Sequence, residues 1–430
     1  MTMDLAALDR AVAAAARDLA KERAAWATGS LDTFVWSRHR ALAGRSLYDD
    51  VRARNVSLHE RELRDALLVW IAALTVARVS GPAELAYHRI ADEALAPVTL
   101  ERVTQLRWRE VWAGLLSETT APRARAYAAA LPDLAPRLAP ALRELAAVRH
   151  EALSRLEGAA DRLGAPEDAR ARALAVDFLA ATEDLSRDLL RAARKRDPAP
   201  WPLALDVLMA RDAREGWPAG SLSRWLSELF SQRARGLSVE LPKLAAPLGG
   251  ASFARALGYF GAGLRVAIGG RTSVGRPFRN TDAHRFSGTF ALLASSPEFL
   301  RRKLGVSREV AVDQARVVLR SQLVSLRLEC AASLVRAGAL GVDELGARVF
   351  GEELRLSGAW PQSRVDGESR LAGWLGAPLL GRDLRDRHDE DWFDNPRAWA
   401  DLRAGHVVGS AIGSDGFALQ IARMCEQALS

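Results

Sequence analysis

The chain has 430 residues, of which 49% are hydrophobic and 26% charged, a balance that excludes a disordered tail, a collagen-like repeat and a disulfide-stapled secreted module. Sixty basic residues against 53 acidic ones leave a formal charge of +7. Spread over this length, that is a weak and well-screened field, which permits nucleic-acid binding without implying it.

The only lysines are Lys21, Lys195, Lys243 and Lys303, and the other basic residues are arginines. With Ala, Leu and Gly also abundant, this bias reflects genomic base composition. Cys330 and Cys425 form no C-x-x-C pair, so a zinc ribbon and a thioredoxin motif are excluded, and free thiols in a reducing cytoplasm are expected. Charges at Asp4, Asp9, Arg10, Arg17 and Asp18 interrupt the first 23 residues, unlike a signal peptide. No run approaches 18 uninterrupted apolar residues. These features predict a cytoplasmic protein with no membrane partner.

Helical periodicity dominates from the start. Leu63, Ala66, Leu67, Trp70, Ile71 and Leu74 form one apolar stripe. Ser57 and Glu60 have the spacing of a capping box, and Gly81-Pro82 is expected to stop this helix. Further helices are predicted at about 83–95, 100–117, 121–131, 140–163 and 167–196. Pro198-Ala199-Pro200-Trp201-Pro202 then marks a boundary.

Between Pro198 and Asn280, glycines and prolines cluster, and short apolar pieces such as Leu264–Ile268 could form strands. Helices return at about 283–294, 297–304, 307–337, 396–404 and 407–429. The expected fold is therefore all-α, a multi-helix array around a central groove, with at most a small β element in the glycine-rich middle. Three regions are expected: an N-terminal helical region over 1–197, a Gly/Pro-rich segment over 198–281 and a C-terminal helical region over 282–430.

Several chemistries lack their motifs. There is no phosphate-binding G-x-x-x-x-G-K-[ST] loop and no G-x-S-x-G elbow. Gly258-Tyr259-Phe260-Gly261-Ala262-Gly263 is glycine-rich, but no strong strand precedes it. His59-Glu60-Arg61-Glu62-Leu63 begins like H-E-x-x-H but places Leu63 where the second imidazole belongs, and zinc needs both ligands on one helix face. No two of the seven histidines lie three or four residues apart. Trp108 and Trp112, beside Arg107 and Arg109, have the spacing of a stacking platform for single-stranded nucleic acid, and equally that of a buried helix face.

Two polar stretches stand out. Arg279-Asn280-Thr281-Asp282-Ala283-His284-Arg285 gathers polar groups at a helix start, where Asp282 or Thr281 could cap the helix. His388, Asp389, Glu390, Asp391 and Asp394 supply an imidazole and carboxylates in kind for a divalent cation, although the spacing matches no EF-hand loop. Acidic residues ahead of the helix at Pro396 would also favour its dipole.

Three stretches carry a family likeness. Leu142–Arg196, with Arg149-His150-Glu151-Ala152 and Phe178-Leu179-Ala180-Ala181-Thr182, resembles the helical arm that precedes the catalytic region in the oligoendopeptidase and thimet-oligopeptidase type of zinc peptidase. His284-Arg285-Phe286-Ser287-Gly288 stands where that family carries H-E-x-x-H, and Ala404-Gly405-His406-Val407-Val408-Gly409-Ser410 is similar to its late substrate-contacting segment. The resemblance places Glu309 near the third metal ligand. It also shows the departures: Arg285 in place of the catalytic glutamate, Gly288 in place of the second histidine, and no tyrosine from 407 to 413.

A metal-polarised water and a carboxylate base are both needed for that chemistry, so the resemblance implies a peptidase-shaped scaffold without catalytic residues and without a cofactor. The expected role is non-catalytic binding of a peptide or protein partner in a groove, with Arg279, His284, Arg285 and His406 as contacts. If metal were present, His284, Glu309, His388, Asp389 and Asp391 would be its candidate ligands. Arginine-rich nucleic-acid binding is the alternative; it is disfavoured by sign alternation as in Arg382-Asp383-Leu384-Arg385-Asp386-Arg387. An enzyme with an unrecognised metal site is another.

Overall fold

The computed structural model describes residues 4–117, 121–156, 166–194, 216–218, 222–242, 249–268, 281–336, 339–341, 344–350, 367–404, 422–423 and 426. Among these the chain is helical apart from one hairpin. The N-terminal part comprises α1 (Leu5–Thr28), α2 (Val35–His39), α3 (Arg45–Arg52), α4 (Leu58–Glu93), the strands β1 (Leu95–Thr99) and β2 (Val103–Arg107), α5 (Trp108–Ser117), α6 (Ala121–Ala129), α7 (Leu131–Ser154), α8 (Pro166–Ala181) and α9 (Glu183–Arg194). There follow α10 (Leu222–Phe230), α11 (Gly250–Ile268), α12 (Thr281–Leu292), α13 (Pro297–Phe299) with a π turn over Leu300–Leu304, α14 (Arg308–Arg336), α15 (Glu344–Phe350), α16 (Gly367–His388) and α17 (Pro396–Ala404).

The all-α expectation holds, but the β element lies elsewhere. β1 and β2 pair antiparallel, Leu95 opposite Arg107 and Thr99 opposite Val103, in the N-terminal region. Alternation along β1 buries Ala96 and Val98 under the hairpin, and the segment expected to open a helix at 100 instead supplies β2 over Val103–Arg107 before its helix begins at Trp108. Leu264–Ile268, a possible strand, is the last turn of α11.

Nor does Gly81-Pro82 stop its helix. α4 runs for 36 residues straight through Pro82. An interior proline forfeits one backbone hydrogen bond and strains the preceding turn, at about 3 kcal/mol. Here Pro82 is exposed, while Leu67, Leu68, Ile71, Ala72 and Leu74 on the buried stripe are at most 1% accessible, so packing outweighs the local defect. Leu63–Glu93 is also long and apolar enough by composition to cross a bilayer, and in this fold that apolar stripe is core. At its start the predicted capping box is present: Ser57 donates to the Glu60 carboxylate from its amide (3.1 Å) and its hydroxyl (2.7 Å), which holds the Glu60 pKa below the ordinary carboxylate value.

Three apolar clusters form the core. One joins α1, α3 and α4 through Leu8, Val12, Tyr48 and Leu67. A second joins the hairpin, α5–α9 and α15 through Val111, Leu134, Phe178 and Val349. A third joins α10–α12 and α17 through Phe230, Phe260, Phe290 and Trp399, with the Phe230 and Phe260 rings stacked at 4.5 Å. Two long helices tie the second cluster to the third. α14 gives Ala311, Ala315 and Val318 to the third and Leu323, Leu328 and Leu334 to the second, while α16 gives Leu380 and Leu384, then Leu371 and Leu375.

A buried arginine fixes the break between α8 and α9. Arg327, 1% accessible, donates to Leu179 O (2.9 Å), Thr182 Oγ1 (2.6 Å), Glu183 Oε2 (2.8 Å) and Arg348 O (3.1 Å). Four acceptors compensate its loss of water, although burial still presses its pKa downward against the pull of Glu183.

Candidate functional site

α12 carries His284 and Arg285 and is held on two sides by glycine-mediated contacts. On one side Gly258 and Gly261 of α11 meet it: a Cβ on Gly261 would stand 2.5 Å from Phe286 O and 2.9 Å from Phe290 Cβ. The glycine-rich sequence of the middle segment therefore serves close helix–helix approach. On the other side lies α16. A Cβ on Gly373 would stand 2.5 Å from His284 Cβ and 2.6 Å from Thr281 O, and one on Gly288 would stand 2.5 Å from Ala377 Cβ. Thr289 Oγ1 reaches across the same crossing to donate to Ala377 O (3.1 Å), while also lying 2.9 Å from Arg285 O.

His284 and Gly288 are thus i and i+4 on the face of α12 that packs against α16. This is the face on which a helix would present two zinc ligands. At Gly288 even a methyl group collides with the neighbouring helix, so an imidazole has no room there with the helices as they stand.

The first turn of α12 is different in character. Arg285 is 8% accessible, and its side chain reaches back along the helix toward Asp282. Among the described residues its one ion pair is a loose contact of 3.5 Å to Asp282 Oδ1, and its Nε is buried without a hydrogen-bond acceptor. Arg265 of α11 approaches the other carboxylate oxygen of Asp282 at 3.8 Å. Two guanidinium groups therefore share one half-exposed carboxylate, at distances too long for good hydrogen bonds. Arg279 and His406, the other two expected contacts, lie outside the described residues.

The residues suggested for a metal have other employment. Glu309 is exposed in the first turn of α14, where an acidic residue favours the helix dipole. His388 Nε2 lies 2.9 Å from Asp401 Oδ2, Asp391 pairs with Arg302 at 2.7 Å, and Asp394 pairs with Lys303 at 2.5 Å. Asp389 is exposed with a φ of 68°, the left-handed conformation that ends α16, and its amide donates to Arg385 O. The acidic stretch is thus a salt-bridged joint between α16 and α17. Among the described residues no three His, Cys, Asp or Glu side chains gather as a cluster able to hold a metal ion. Trp108 is 7% accessible and belongs to the second core cluster, as a buried helix face requires.

One polar cluster was not foreseen from the sequence. Glu84 of α4 accepts from Arg23 of α1 and Arg149 of α7, each at 2.8 Å, and Arg149 Nε also points at Ser80 Oγ (3.3 Å). One turn along, burial holds the His88 pKa below the ordinary value, chiefly against the pull of Glu84. Ser80, Glu84 and His88 recur every four residues, which was the available signal. Their partners come from distant helices.

The chain matches no protein-family model, and the comparison with curated proteins finds no match. Among solved structures, it is similar to PZ peptidase A, determined with an inhibitor, with a TM-score of 0.56 and 12% identity over 90% of this chain and 83% of that one. At that identity the likeness concerns the fold: this chain has a peptidase-like, almost entirely helical architecture.

Proposed function

We propose that the protein is a non-catalytic relative of the oligoendopeptidase type of zinc peptidase, a scaffold that holds a peptide or protein segment against the first turn of α12. The observation that carries the reading is the contact at Gly288, where α16 occupies the space that a second histidine ligand would need. Zinc hydrolysis requires paired imidazoles, a third ligand and a carboxylate base close to the bound water. In this chain the pattern supplies His284 alone. The carboxylate position holds Arg285, a cation that cannot accept a proton at any physiological pH.

The likeness to PZ peptidase A supports a fold suited to peptides, and the side chains at the α12 turn favour retention over cleavage. The test pairs a cleavage assay with a binding assay on the full chain, using a quenched fluorogenic peptide mixture with added zinc and the same mixture immobilised as bait. The expected result is retention with no cleavage above a buffer blank. Zinc-dependent cleavage abolished by His284→Ala would overturn the reading.

A further inference from the structure

We infer that the ligand group taken by this site is a carboxylate, received by Arg285 and Arg265 at the first turn of α12; this rests on the proposed peptide-binding role. A guanidinium offers five donors and stays charged when buried. Arg285 is more than nine-tenths buried, yet among the described residues its only counter-ion is a half-exposed aspartate 3.5 Å away that also faces Arg265. Contrast Arg327, more completely enclosed and supplied with four acceptors within 3.1 Å. The Nε of each is buried without an acceptor, but the same fold gives the terminal nitrogens of Arg327 four close acceptors and leaves those of Arg285 facing a loose, shared partner.

The local charge favours an anion. Two cations surround one carboxylate, and the amides of the first turn of a 12-residue helix add their partial positive charge. A planar carboxylate suits the fork of Arg285, and Asp282 is then its internal competitor, holding the site loosely until a ligand arrives. The carboxylate of a peptide comes either from its C-terminus or from an Asp or Glu side chain.

The experiment uses three immobilised pools of mixed-sequence hexapeptides: free acids without Asp or Glu, C-terminal amides without Asp or Glu, and C-terminal amides containing them. Retention of the free acids above the plain amides assigns a C-terminal carboxylate; retention of the acidic amides above the plain amides assigns a side chain. In either case Arg285→Gln lowers retention roughly tenfold to a hundredfold, Arg285→Lys restores part of it, and the exposed variant Arg224→Gln on α10 leaves it unchanged.

Asp282→Asn supplies a test of opposite sign that no loss of folding imitates: removing the competitor should tighten binding of the carboxylate pool. Weaker or unchanged binding in that variant overturns the inference, as does a carboxylate preference untouched by Arg285→Gln. Equal retention of all three pools overturns the carboxylate and leaves peptide binding standing. Retention of none of them overturns peptide binding itself, and the inference with it.

Discussion

Replacing Gly373 by alanine tests the tight seal between α12 and α16. The added methyl would stand 2.5 Å from His284 Cβ, 2.6 Å from Thr281 O and 2.8 Å from Arg285 N. Two of these are backbone atoms, so no rotamer change relieves the clash. To reach ordinary carbon contact at about 3.5–4.0 Å the helices must separate by roughly 1 Å. Overpacking of this kind costs about 1–3 kcal/mol. Alanine's better helix propensity returns up to about 1 kcal/mol. The net expectation is a loss of about 1–2 kcal/mol.

Gly381, two turns along the same helix, supplies the control. Its nearest atom would be Thr289 Cγ2 at 4.0 Å, an ordinary contact, so Gly381→Ala should gain up to about 1 kcal/mol from propensity alone. Denaturant titrations followed by circular dichroism should therefore move the two midpoints in opposite directions with similar slopes. If Gly373→Ala stabilises as much as Gly381→Ala does, the helices are not in close contact at this crossing, and the argument about the second ligand position fails.

Arg327→Met should destabilise by about 3 kcal/mol, the low end for breaking a buried pair because Glu183 keeps access to solvent. Arg327→Lys should restore little, since one ammonium cannot reach four acceptors; denaturation midpoints decide both. Cys330 is completely buried, and burial pushes its thiol pKa far upward. In a Cys425→Ser background it should resist alkylation until the protein is unfolded, and rapid labelling of the native protein would contradict the packing of α14. His88 is held neutral by burial, with its pKa below the unfolded value of about 6.5. As pH falls, the unfolded chain takes up this proton first, so the His88 contribution is present above that value and lost as pH falls through the folded pKa. His88→Gln should flatten the decline in melting temperature between roughly pH 8 and pH 5, and an unchanged slope would assign that decline to other groups.

Much of the fold was legible because long apolar stripes at helical spacing leave little choice of secondary structure, as Leu67, Ile71 and Leu74 illustrate. The errors came where tertiary contacts override local signals. Gly81-Pro82 reads as a stop, yet Pro82 faces solvent on a helix anchored by burial on one side of it and by the Glu84 ion pairs on the other. The glycines of 258–263 stand within a segment whose short apolar pieces read as possible strands, whereas they lie in a helix whose Gly258 and Gly261 admit α12. The hairpin was hidden because its strands are five residues each and only β1 alternates in burial.

The candidate site was half legible. His284, Arg285 and the missing motif residues are plain in the sequence. That Gly288 meets Ala377, and that Arg285 shares Asp282 with Arg265, depends on helices distant along the chain. The acidic stretch around His388 leaves both a cation site and a charged loop ahead of the Pro396 helix open, because composition shows the carboxylates and conceals that Arg302 and Lys303 lie against them.

Zinc stoichiometry tests the central claim most directly. Untagged full-length protein is equilibrated with excess zinc, passed through a desalting column and measured by elemental analysis, alongside His284→Ala. The account predicts that both retain only the same trace, since the face of α12 that would carry the ligands is packed against α16. Retention of zinc at one per chain by the natural sequence, lost in His284→Ala, would contradict it and restore a metal-dependent peptidase.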